Sequence, residues 1–130
     1  MAVAIHHRNS ADEASMLVSD INASGGKAVV VGGDLADTAN IEIIAHEAAQ
    51  KLGMPIDVLI NNASVFEEDT LASFTPESFD LHQNVNLRAP LMLSQAIAKA
   101  LPEERHGCII NMIDQRVLKL NPQFFSYTIA

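Results

Sequence analysis

Two periods alternate along this chain, and that alternation restricts its fold more than any other feature. Short, continuous apolar runs are separated by segments in which apolar residues return every three or four positions. The strand-type runs are Val3 to Ile5, Ala28 to Val31, Asp57 to Ile60 and Cys108 to Met112. Between the first two, Ala14, Leu17, Val18 and Ile21 share one helical face; after the second, Ile41, Ile44, Ala45 and Ala48 share another. Runs that are apolar at nearly every position suit strands buried on both faces, the habit of a parallel sheet covered by helices. The expected fold is an α/β three-layer sandwich, with residues 1–130 forming one domain.

Local signals bound the helices. Ser10-Ala11-Asp12-Glu13 has the form of a capping box, and Gly25-Gly26 ends the helix it opens. A second helix is expected from about Thr38 to Leu52, stopped by Gly53 and Pro55. Thr75-Pro76-Glu77 supplies an N-cap, a first-turn proline and a first-turn acid. The helical stretch that follows runs towards Leu101, and Pro90 predicts a kink or break within it.

Composition narrows the classes of partner. Acidic residues outnumber basic ones 16 to 8, for a net charge of -8. That balance argues against a nucleic-acid or anionic-membrane partner, which needs a basic footprint. No apolar run approaches the length of a membrane span, and the N-terminus lacks a signal-peptide pattern, so a cytoplasmic setting is expected. Cys108 lies in an apolar run and is expected to be a buried, inert thiol. His6 and His7 should point to opposite faces of a strand, and His46, His82 and His106 share no ligand spacing, so no metal site is expected.

In an open parallel sheet, ligands bind beyond the carboxyl ends of the strands. The residues there are His7-Arg8-Asn9-Ser10, Asp34-Leu35, Asn61-Asn62-Ala63-Ser64 and Asp114. Arg8, with Asn9, Ser10 and a helix start behind it, suits a phosphate, and equally suits a surface arginine beside a cap. Taken singly, Asn61-Asn62-Ala63 reads as a turn, Asp114 as a cap and Tyr127 as packing.

Taken together and in order, these segments resemble the short-chain dehydrogenase/reductase family. Asp57-Val58-Leu59-Ile60-Asn61-Asn62-Ala63 is similar to the family's D-x-L-[IV]-N-N-A strand motif, and Asn84-Val85-Asn86-Leu87 to its helix motif. Cys108-Ile109-Ile110-Asn111-Met112 is similar to its fifth strand, and Tyr127 lies thirteen residues after Asp114, the spacing of the family's tyrosine from its serine. The resemblance implies a Rossmann-like fold. It implies Asn86, Asp114 and Tyr127 as catalytic residues, and a nucleotide cofactor held by Arg8, Asn9, Ser10, Asp34, Leu35, Asn61, Ala63, Ser64 and Met112.

Three departures point to a branch. Ser64 follows Asn-Asn-Ala where glycine is usual, Phe66 stands two residues on, and Asp114 occupies the serine position. All three look like the pteridine reductases and the related dihydromonapterin and dihydrofolate reductases. In that branch Phe66 would stack on a pterin or folate-type ring, with Asp114 and Tyr127 beside it. The branch implies NADPH, which the basic, hydroxyl-bearing Arg8-Asn9-Ser10 cluster suits, and a homo-oligomer as the working form. The alternatives are a reductase of a carbonyl such as a 3-oxoacyl thioester, and a non-catalytic interaction module.

The same resemblance implies that the first strand with its glycine-rich turn, and the C-terminal part, are missing. The motif Y-x-x-x-K runs out at Ala130, where a lysine would follow. The expectation is an internal fragment, inactive alone, whose sheet has a gap between the strands beginning at Val3 and Asp57, and which is poorly soluble alone or dependent on a partner chain.

Overall fold

The computed structural model describes residues 1–130. β1 (Ala2–His7) and β2 (Lys27–Gly32) pair in parallel, with Ala2 opposite Lys27 and His7 opposite Gly32. The crossover that parallel pairing demands is α1 (Ala11–Ala23). Gly25, at φ 83°, turns the chain out of that helix. Ser10 stands at the N-cap of α1, yet its side chain makes no capping hydrogen bond, so the expected capping box is not formed there. Its backbone, at φ -97° and ψ 56°, leaves the extended geometry that aims a cap hydroxyl at the first turn.

A single 3₁₀ turn, Thr38–Asn40, leads into α2 (Ile41–Leu52), which ends on the left-handed Gly53. Asp37, not Thr38, caps the turn, accepting from the Ala39 N–H at 3.1 Å. β3 (Val58–Asn61) and β4 (Cys108–Asn111) form the second parallel pair, with Val58 opposite Cys108 and Asn61 opposite Asn111. Between them run α3 (Pro76–His82), a π-helical turn (Gln83–Arg88) and α4 (Ala89–Ala100). Thr75 caps α3 as expected, with Thr75 Oγ1 accepting from Ser78 N–H and Ser78 Oγ returning the bond. The break foreseen at Pro90 is a widening just before it. Pro90 would drive its ring into the Asn86 carbonyl of a regular helix, and the wider π turn, in which Ala89 N–H reaches back to Asn84 C=O, relieves that clash.

The core is the cluster Val31, Leu35, Ile41, Ile44, Val85 and Ala89, where α2 and the π turn meet β2. Burying a side chain such as Ile41, which is fully enclosed, contributes about 1.5–3 kcal/mol.

The architecture is α/β and Rossmann-like, but the sheet is discontinuous. β1–β2 and β3–β4 are separate two-stranded pairs. A cleft of about 510 Å³ separates them, lined by Ala2, Ala4 and His6 of β1 and by Val58 and Ile60 of β3. This is where the family resemblance puts one more strand. The far pair is thinly covered. All four residues of β4 are exposed, Cys108 among them, which corrects the expectation of a buried thiol. The cause is local: β4 pairs with β3 alone, and no helix closes over its faces. No helix is long and apolar enough to cross a membrane.

Candidate active site

Tyr127 lies on α5 (Phe125–Ile129), a single turn of helix held from below by Asp69. The Asp69 carbonyl accepts from the Phe124 and Phe125 N–H groups at 2.9 and 3.1 Å. Its carboxylate accepts from the Ser126 N–H at 2.9 Å and from the Ser78 hydroxyl at 3.2 Å. Three orphan donors of a short helix start are thus satisfied by one residue. Burial on its own would raise the Asp69 carboxyl, but the Ser126 and Ser78 bonds outweigh it and hold it below the ordinary value of 3.8. His82, fully enclosed, accepts from the Glu67 N–H at 3.2 Å through Nε2 and donates from Nδ1 to the Ser78 carbonyl at 2.7 Å, the tautomer these partners require.

The Tyr127 phenol donates to Asp114 Oδ2 at 3.0 Å. Asp114 precedes a 3₁₀ turn (Gln115–Val117) and caps it, accepting from the Arg116 N–H at 2.9 Å; the Arg116 guanidinium reaches the same carboxylate at 3.2 Å. These bonds, the Arg116 N–H first and Tyr127 next, hold the Asp114 carboxyl below its ordinary 3.8. Tyr127 moves the other way. Burial, then the Asp114 hydrogen bond and charge, push the phenol above 10.0, against smaller opposing effects of the Ser64 hydroxyl and Arg116. The shared proton therefore rests on the phenol, and the carboxylate is its acceptor.

Phe66 stands beside this pair. Tyr127 meets its ring edge-on, with centroids 4.7 Å apart. A second ring, Phe124, stacks on Phe66 at 4.2 Å and 11° from parallel. The Arg116 guanidinium carbon sits 4.8 Å from the Phe66 centroid and 4.9 Å from that of Phe124. The three distances make a near-equilateral triangle, so the cation flanks the stacked pair instead of capping one outer face.

The loop carrying Ser64 and Phe66 is fixed by Asn86. Its side-chain amide accepts from the Val65 N–H at 2.8 Å and donates to the Val65 carbonyl at 2.9 Å. Asn86 is presented by the π turn, a helical irregularity of a kind frequent at functional sites.

The remaining expected residues fall at strand ends. Asn61 and Asn111, opposed across β3 and β4, join their amides at 2.8 Å. Ala63, Ser64 and Met112 are exposed beyond those strands. Arg8, Asn9 and Ser10 are exposed in the turn after β1. Asp34 is exposed after β2 and accepts from the Ala36 N–H at 2.9 Å. Leu35 belongs to the core cluster with Ile41 and Ile44 and also lines the cleft between the two strand pairs.

Four residues of this site carried no signal on their own. Asp69 closes the run Glu67-Glu68-Asp69, which reads as a solvated loop. His82 and Arg116 have no distinguishing spacing. Phe124 was legible only as part of Phe124-Phe125-Ser126-Tyr127, an aromatic cluster that a search for stacking partners finds.

The chain as a whole resembles known proteins. The family model for short chain dehydrogenase matches residues 1–130. A 3-oxoacyl-[acyl-carrier-protein] reductase of Synechocystis is 26% identical over 130 residues, covering 100% of this chain and 52% of that protein. The crystal structure of FolM alternative dihydrofolate reductase 1 from Brucella canis, complexed with NADP, superposes with a TM-score of 0.94 at 43% identity, over 99% of this chain and 52% of that one. A blue fluorescent protein from a metagenomic library, in complex with NADPH, gives a TM-score of 0.89 at 28% identity, over 98% of this chain and 51% of that one. The chain thus spans about half the length of the relatives it matches. With the family model matched along its whole length, this chain belongs to the short-chain dehydrogenase family.

Proposed function

We propose that this chain supplies the proton-delivery and ring-binding part of an NADPH-dependent reductase acting on a pterin or folate-type substrate. The observation that carries this reading is the Tyr127–Asp114 hydrogen bond set edge-on to Phe66. Likeness to a dihydrofolate reductase structure at 43% identity supports it.

The residues present fit a phosphorylated nicotinamide dinucleotide. Arg8 is exposed and takes part in no ion pair, and the Ser10 hydroxyl is not spent on capping α1. Both are free for a 2′-phosphate, with Asn9 between them. Asn61, Ala63, Ser64 and Met112 border the space beyond β3 and β4, and Asp34 that beyond β2.

When bound, the reduced nicotinamide supplies a hydride. Everything else falls to side chains. Phe66 offers an aromatic wall against which a flat ring lies by offset stacking. Tyr127 holds a proton on its phenol oxygen and delivers it to the ring nitrogen as carbon accepts the hydride. Asp114, whose side chain is 29% exposed, meets water and returns the proton to Tyr127. Asn86 acts indirectly, by fixing the Ser64–Phe66 loop. The Asp114 carboxylate can take a proton from water and pass it to the phenol, whereas a serine hydroxyl is too weak a base to do so, and that relay favours a C=N bond over the carbonyl of a 3-oxoacyl thioester. This reading implies a small-molecule substrate and a cytoplasmic setting. Leu87 and Leu91, exposed along one side of the π turn and α4, give a homo-oligomer an apolar contact.

The test is a side-by-side assay of the full reductase carrying this chain, with NADPH, on dihydrobiopterin, dihydrofolate and a 3-oxoacyl thioester. Turnover of a pterin or folate is expected. Turnover of the thioester alone sinks the proposal.

A further inference from the structure

Arg116 stands beside the proposed ring site with unused capacity. One end of its guanidinium is spent on Asp114 at 3.2 Å. Its Nε–H is buried and has no partner. A buried donor without an acceptor costs stability, and in a native site it marks a place for a ligand atom. The same guanidinium lies at the flank of the Phe66–Phe124 stack, its carbon 4.8 and 4.9 Å from the two ring centroids. Phe124 is itself out of place. It is the one non-glycine residue at positive φ, at 142°, a conformation that costs about 1–3 kcal/mol and collects at ligand clamps.

We propose that Arg116 is a specificity-determining residue, and that Phe124 fills in the free protein the berth that a substrate ring takes on Phe66. This rests on the reading of Phe66 as the ring-binding wall. A flat ring replacing Phe124 would keep the guanidinium at its flank, and an acceptor atom on its edge would take the Nε–H. The site then selects planar rings that carry an edge acceptor, and rejects flat rings that lack one. A pterin, with carbonyl and imine acceptors along its edge, has the required chemistry.

The test is equilibrium dialysis on the full reductase loaded with oxidised NADP, using two probes. Biopterin is flat and has edge acceptors; indole is flat and has none. Arg116→Met should weaken biopterin by about tenfold or more, the loss expected for a charge-assisted hydrogen bond. It should weaken indole by no more than about threefold, since indole offers the Nε–H no acceptor to lose. Arg116→Lys keeps the charge beside Asp114 but lacks the planar fork, so it should recover less than half of the lost biopterin affinity on a logarithmic scale. Equal losses for both probes, or biopterin binding unchanged in Arg116→Met, overturns the proposal, as does full rescue by Arg116→Lys. A wild-type protein that does not bind biopterin overturns it too. If wild type binds biopterin with these preferences but reduces no pterin, the assignment of Arg116 stands and the proposed reaction falls. If pterin turnover is intact and Arg116→Met binds biopterin normally, only the assignment of Arg116 falls.

Discussion

The Asn86 side chain closes on Val65 like one more strand, pairing with both of its backbone polar groups at 2.8 and 2.9 Å. A loop that would otherwise be free to drift is thereby tied to the π turn. Replacing Asn86 with Ala leaves a partly buried N–H and C=O without partners. The expected cost is about 2 kcal/mol, read as a lower urea midpoint at unchanged m-value. In the full reductase, Asn86→Ala should also lower kcat, since Phe66 and Ser64 ride on the same loop. A variant as stable as wild type would show that water replaces the clamp without loss.

Asp69 is expected to be worth about as much. Asp69→Ala removes the carboxylate that the Ser126 N–H and the Ser78 hydroxyl donate to, and should cost about 2–3 kcal/mol. Because its folded carboxyl is held below 3.8, the unfolded chain takes up the proton first on acidification. The contribution is therefore full above that value and fades as pH falls through the folded one. Asp69→Asn should flatten this acid limb of the stability profile; an unchanged limb would contradict the assignment.

A second acid-sensitive group lies on the other strand pair. His6 Nε2 meets the Gly33 carbonyl at 2.9 Å. Burial is the largest influence and lowers His6 below 6.5, with His7 adding to it against Gly33 and Asp34. The fold thus favours neutral His6. Its contribution is complete above 6.5 and declines as pH drops from there towards the folded value. His6→Gln should remove that step while leaving the Asp69 step at lower pH. Stability measured by denaturant between neutrality and mild acid distinguishes the two.

The Phe66–Phe124 stack should show as coupling. A double-mutant cycle with leucine at each position is expected to return about 1 kcal/mol in stability, the usual worth of an offset aromatic pair beyond its buried area. A coupling near zero would mean that the rings touch without attracting.

Much of this was legible in the sequence for physical reasons. The apolar runs at Ala28–Val31 and Asp57–Ile60 predict buried parallel strands; both strands form and pair in parallel, but Val58 and Ile60 of the second are exposed. The Thr75-Pro76 start of α3 is a matter of local chemistry and survives intact. The Ser10 cap fails because its backbone, at φ -97° and ψ 56°, does not aim the hydroxyl at the first turn. Cys108 reads as buried because apolar neighbours promise cover, but cover is a tertiary property, and β4 has only one partner strand. Tyr127 and Asp114 were found by their spacing. Asp69, His82 and Arg116 were not, because each acts through backbone groups or rings that only the fold brings near.

The account turns on where one proton sits. The chain has a single tyrosine and no tryptophan, so the near-ultraviolet phenolate signal reports Tyr127 alone. Titration of that absorbance, over the range in which circular dichroism shows the fold intact, tests the Asp114–Tyr127 pair directly. The predicted result is a midpoint above 10.0 in the wild type, falling back when Asp114 is replaced by Asn. A wild-type midpoint at or below 10.0, or one that Asp114→Asn leaves where it was, would contradict the account.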